Sequence, residues 1–137
     1  MSFPIKEKMI MVEERRKIER YPMVGKVVIT TNDNREITAH IANISFMGIC
    51  AYSADRIAAL TNIMMKVMFT DSFGREQEVS IDGIVIRVAG VGKVYEMGIR
   101  FSHYLSQYNN PVLFRHFSQI AATVSDSDKQ SAQNHFI

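Results

Sequence analysis

The chain has 137 residues, of which 47% are hydrophobic and 22% charged, proportions that suit one domain around one core and exclude a disordered or fibrous chain. A net charge of +2 excludes a general field for nucleic acid, so any anion site must come from local clustering. A single cysteine, Cys50, excludes an internal disulfide, and its apolar setting in "MGICAY" points to a buried, unreactive thiol.

The N-terminal "MSFPIKEKMIMVEERR" carries charge through every apolar stretch, so it does not read as a signal peptide and the expected location is the cytoplasm. Residues 1–13 read as a helical extension. Good helix formers occupy residues 5–20, and Glu13 with Lys17 has favourable i,i+4 polarity. Pro22 stops that helix, because the residue before a proline is pushed towards extended geometry. Beyond it the apolar period becomes two. "MVGKVVITT" predicts a strand, "NDNR" (Asn32 to Arg35) a turn, and "EITAHIAN" a second strand with Ile37, Ala39 and Ile41 on one face. A third strand, "ICAYS", follows "NISFMG", and Ala54 to Leu60 predicts a short helical crossover capped by Ser53.

"IMMKVMFT" and the long "REQEVSIDGIVIRVA" predict strands joined by the turn "DSFG", with Gly83 marking a bend or bulge. "GVGK" predicts a tight hairpin turn into the last strand, "VYEMGIRFS". Asn62 and Lys66 break the most apolar segment, which is too short for a bilayer, so no membrane insertion is expected. Six strands at short spacing point to an antiparallel barrel or sandwich. Asn110-Pro111 then starts a C-terminal helix. Its stripe of Leu113, Phe117, Ile120, Ala121 and Val124 is expected to cover the open end of the barrel, with a homodimer contact as the alternative use. Residues 14–124 thus form the domain, and residues 125–137 a flexible polar tail.

Catalytic chemistry is not legible. His40, His103, His116 and His135 lack metal-ligand spacing, and no Gly-rich phosphate loop or nucleophile turn occurs. Asp71, Asp82 and Glu96 read as solvated charges among turns and strands. Neither an enzyme nor a bound metal or cofactor is expected.

Two polar constellations remain. In "EERRKIERYP", Arg16 and Arg20 frame an R-x-x-x-R pattern, with Arg15 just before. The planar guanidinium suits phosphate oxygens and the O6/N7 edge of guanine, although a solvated helix end would look the same. In "NISFMG", Asn43 and Ser45 are two apart, continue the parity of Ile37, Ala39 and Ile41, and precede Gly48. Small polar groups on that face need hydrogen-bond partners, which a bulged hairpin could supply from its own backbone.

Taken together and in this order, the two stretches resemble the PilZ domain, a bacterial receptor for cyclic di-GMP, over residues 14–122. That family carries R-x-x-x-R before its first barrel strand and D/N-x-S-x-x-G after a hairpin, and "EMGIRF" resembles its last strand through Gly98 and Phe101. The resemblance implies a mainly β fold: a six-stranded antiparallel split β-barrel with a C-terminal α-helix and a short N-terminal helix. It implies a cyclic di-GMP site of Arg16, Arg20, Asn43, Ser45 and Gly48, with Gly98 nearby. Arg15 implies an intercalated ligand pair rather than a single molecule. Asn43 stands where aspartate is commoner, and Met47 where a small residue is usual.

The implied role is second-messenger signalling, in motility or biofilm control, through a separate effector protein. The competing reading is a nucleotide-independent PilZ-type adaptor in pilus or motility assemblies, whose members typically lack the arginines. A small RNA-binding barrel, stacking bases on Tyr21, Phe46 or Tyr52, fits the near-neutral charge poorly.

Overall fold

A computed structural model describes residues 18–135, with side chains through residue 124. The expected N-terminal helix, Arg15 and Arg16 lie outside the described residues. Seven strands and one helix follow in order: β1 (Tyr21–Pro22), β2 (Lys26–Thr31), β3 (Glu36–Ile44), β4 (Gly48–Ser53), β5 (Asn62–Thr70), β6 (Glu76–Val91), β7 (Val94–Phe101) and α1 (Pro111–His135).

All pairings are antiparallel, in the order β1-β3-β2-β5-β6-β7-β4, and a further β3–β4 pairing closes the six longer strands into a ring. The barrel is therefore closed where a split one was expected. The two-residue β1 lies outside that ring, on the edge of β3 beyond the end of β2: Tyr21 faces Ile44 and Pro22 faces Asn43. Proline is tolerated there because an edge strand need not donate on both sides.

Period-two burial fills the barrel. Val27, Ile29, Ala39, Ile49, Ala51, Val67, Val85 and Met97 are wholly buried, and Phe101 is nearly so. Alternate residues are the more exposed ones in β2, β5 and the first part of β3, as the pleat requires, whereas five of the six residues of β4 are buried. Between Ile41 and Asn43 the β3–β4 register shifts. Ile41 and Ile44 both face the core as a result, and Asn43 is only half-buried. The sequence parity that put Asn43 on the apolar face is overturned by this bulge, where one extra residue breaks the alternation, although Ser45 stays buried in the turn beyond it.

Two other expectations fail locally. Ala54 to Leu60 forms no helix. Ser53 Oγ accepts from the Asp55 amide at 3.0 Å, Ile57 plugs the core, and Leu60 takes φ 68. Seven residues are too few for a helix to repay its nucleation, and a buried anchor in mid-segment holds the chain to the barrel instead. Gly83 is not a bulge, since the β6–β7 register shift falls between Val85 and Arg87. A Cβ at Gly83 would instead lie 2.7 Å from the Arg100 carbonyl oxygen, so glycine there serves close strand approach. The hairpin turn into β7 is as expected, with Gly92 at φ 62.

Helix α1 begins at Pro111, with Asn110 at φ 56 and its carbonyl accepting from the Phe114 amide at 2.9 Å. Leu113 is fully buried, and Phe117 and Ile120 pack on the core. Phe117 meets Tyr21 edge-on at 5.9 Å, and His116 stacks on Phe69 at 4.2 Å. The helix thereby pins β1. Burial lowers the pKa of His116, whose Nδ1 has no hydrogen-bond partner among the described residues. The helix backbone continues through residues 125–135, which the sequence reading assigned to a polar tail.

The β5–β6 turn supplies the first prediction. The Asp71 carboxylate accepts from Gln77 Nε2 at 3.0 Å and from the Phe73 and Arg75 amides, each at 2.9 Å. The Gln77 bond first, and the backbone amides after it, lower its pKa from 3.8 to about 2. A carboxyl lowered in the folded state stabilises the fold above its unfolded pKa and loses that contribution as pH falls towards the folded value. Urea midpoints measured from about pH 5 to about pH 2 should therefore fall more steeply for the wild type than for Asp71→Asn. Parallel curves would contradict this account of the turn.

Candidate ligand site on the outer wall of the barrel

Residues 18–20 lead into β1, and its pairing with β3 carries the connector directly over the second motif. Arg20 is exposed, and its Nη1 donates to Asn43 Oδ1 at 3.2 Å. Two side chains 23 positions apart thus meet, one from each sequence motif. Tyr21 holds the connector in place: its ring packs on Phe117 and its hydroxyl donates to Glu19 Oε2 at 2.7 Å.

Ser45 and Gly48 are placed differently. Ser45 is wholly buried, and its Oγ accepts from the Met47 amide at 3.1 Å and the Gly48 amide at 3.2 Å. Its own amide donates to the Gly48 carbonyl at 2.8 Å, closing the turn between β3 and β4. Outside that turn, the Phe101 and Leu105 amides donate to the Met47 and Phe46 carbonyls, each at 2.8 Å. A Cβ on Gly48 would stand 2.0 Å from the Ile99 carbonyl oxygen, so only glycine fits where β4 crosses β7. Ser45 and Gly48 therefore build the turn, while Asn43 faces outward.

Strand register extends the patch across the wall. Asn43 pairs with Cys50, Cys50 with Gly98, and Gly98 with Arg87. In the next outward row Tyr52 pairs with Glu96. Glu96 is the hub: Oε1 accepts from Arg87 Nη2 at 3.2 Å and from Cys50 Sγ at 3.4 Å, and Oε2 from the Tyr52 hydroxyl at 3.4 Å. A Cβ on Gly98 would meet Arg87 Cβ and Nε at 3.6 Å, so Arg87 lies across the glycine at ordinary contact distance.

Burial raises the Cys50 pKa and Glu96 adds to the rise, while Arg87 and Arg20 oppose it. Glu96, chiefly through its charge, also raises the pKa of Tyr52. Both groups are therefore neutral donors towards Glu96. Sequence reasoning missed Arg87 and treated Glu96 as a solvated charge. The alternation in "CAY" and "YEMG" could have placed positions 50, 52, 96 and 98 on outward faces, but not next to one another.

A concavity among the described residues, lined by Val24, Lys26, His40, Met68 and Glu78 among others, lies elsewhere. Among the described residues no cluster of His, Cys, Asp and Glu could hold a metal, and no helix is long and apolar enough to cross a membrane.

The described residues thus form a closed antiparallel barrel with Arg20, just ahead of β1, bonded to its outer wall. The PilZ domain model matches residues 14–129, and the chain belongs to that family. No curated protein matches the sequence. The structure is similar to that of the inhibitor of motility MotI/DgrA from Bacillus subtilis, with a TM-score of 0.61 at 18% identity over 77% of this chain and 51% of that one. This chain thus spans about half the length of the Bacillus protein. The PilZ domain of YcgR from Escherichia coli, solved with cyclic di-GMP, gives 0.59 at 15% identity over 84% and 98%. The PlzA protein of Borreliella burgdorferi, in complex with cyclic di-GMP, gives 0.52 at 16% identity over 80% and 45%. At these identities the likeness is one of fold.

Proposed function

We propose that this chain is a receptor for cyclic di-GMP, bound between the Arg15–Arg20 connector and the outer wall at Asn43. The observation that carries this reading is the Arg20–Asn43 hydrogen bond, which joins the two motifs in one patch. Arg16 and Arg20 supply the charged forks for the two phosphodiesters and a guanine O6/N7 edge. Asn43 contributes a neutral amide beside a dianion, where a carboxylate would repel. Ser45 and Gly48 act from behind, by fixing the turn that presents Asn43, and Arg15 recruits a second ligand molecule.

Ligand bridging connector and wall fixes the residues ahead of β1 against the barrel. The surface so made is read by a separate effector protein. The ligand can drive this closure only as far as its affinity for the closed form exceeds that for the open one. Isothermal titration calorimetry of the purified chain should show saturable binding of cyclic di-GMP, with two molecules per chain if Arg15 acts as proposed. Asn43→Ala should weaken it about tenfold, the loss of roughly one hydrogen bond to a charged ligand. No heat from folded protein would overturn the reading and favour a nucleotide-independent adaptor.

A further inference from the structure

Glu96 is an anomaly on a wall meant for a dianion. It lies in the midst of the patch, half-buried, with its Oε1 within reach of Cys50, the residue paired across the strands with Asn43. An acidic group costs affinity at an anion site unless it does something for the ligand that a neutral residue would not. The ion pair with Arg87 offsets its charge without covering it, since the Glu96 side chain keeps 26% of its exposure. Its other two donors are loose, the thiol and the Tyr52 hydroxyl both standing at 3.4 Å. A carboxylate has about four lone-pair sites, so among the described residues three are taken up and two of those are weakly held. Only the Arg87 contact, at 3.2 Å, fixes its orientation.

We propose that Glu96, held by Arg87, reads the N1–H and N2–H2 edge of a guanine base lying on the wall between Asn43 and Glu96, and so makes the site selective for guanine. This rests on the receptor reading above. Neighbouring strands are about 4.8 Å apart, so Arg20 with Asn43 on one side and Glu96 on the other bracket a space one to two strands wide. A purine fits that gap. Arginine takes the O6/N7 acceptors at one edge, and the carboxylate takes the two donors at the adjacent edge. Adenine would set the lone pair of its N1 against the carboxylate. Inosine keeps N1–H and lacks the amino group.

The test titrates the full chain with cyclic di-GMP, cyclic di-IMP and cyclic di-AMP, for the wild type and for Glu96→Gln. Wild-type affinity should fall about 10-fold or more from cyclic di-GMP to cyclic di-IMP and further for cyclic di-AMP, the scale of one lost paired contact in a polar site. In Glu96→Gln the preference for cyclic di-GMP over cyclic di-IMP should shrink to within about threefold. A wild-type chain that binds cyclic di-IMP as tightly as cyclic di-GMP overturns the proposal without any variant and leaves the receptor reading standing. So does a Glu96→Gln chain with undiminished preference. Failure of the wild type to bind any of the three overturns the receptor reading itself, and this proposal with it.

Discussion

Replacing Arg20 by alanine is expected to weaken cyclic di-GMP binding by about 10- to 100-fold, and Arg16→Ala/Arg20→Ala to abolish it on the calorimetric scale. A hydrogen bond to a charged group contributes about 1.5–3 kcal/mol, and Arg20 offers a fork that can make two. Arg20→Lys keeps the charge but not the fork, so it should fall between wild type and alanine. Folding stability should hardly change, because Arg20 is exposed and its one described bond is to Asn43. That separation is the value of the experiment: a folded chain without binding isolates the site. Wild-type affinity in the double variant would remove both arginines from the site and sink the assignment.

Gly48→Ala is expected to destabilise the barrel by about 3 kcal/mol or more, because overpacking against backbone has no rotamer to relax into. The new methyl would stand 2.0 Å from the Ile99 carbonyl oxygen, 3.0 Å from its carbon and 3.1 Å from Arg100 Cα. β4 and β7 would have to part, and with them the closure that β4 provides between β7 and β3. Gly98→Ala is the control on the same pair of strands. Its nearest new contact is 3.6 Å, so a change of less than about 1 kcal/mol is expected. Urea unfolding of both variants measures the contrast. Equal midpoints would show that Gly48 is not a point of obligatory approach.

The strands were readable because alternation is a local pattern, and all six longer strands appear where period two placed them. Arg20 and Asn43 were legible by residue type, and the structure bonds them to each other. Three features were not legible. The bulge at Ile41/Asn43 turns Asn43 away from the apolar face while Ser45 stays buried, and a shift of one residue leaves no mark in the apolar pattern before it. The segment from Ala54 to Leu60 has helical residues but is short and tethered by Ile57. Arg87 and Glu96 look like ordinary surface charges until β6 and β7 are set beside β4.

The sequence by itself determined the mainly β class of fold and where its strands fall along the chain. Both follow from side-chain periodicity and from the turn residues between the strands. Only the tertiary structure decided that the barrel closes, that Asn43 turns outward while Ser45 turns inward, and that Arg20, Asn43, Cys50, Glu96 and Arg87 share one wall. Cross-strand neighbours are fixed by register and closure, which depend on how all the strands pack at once and not on any one stretch of chain.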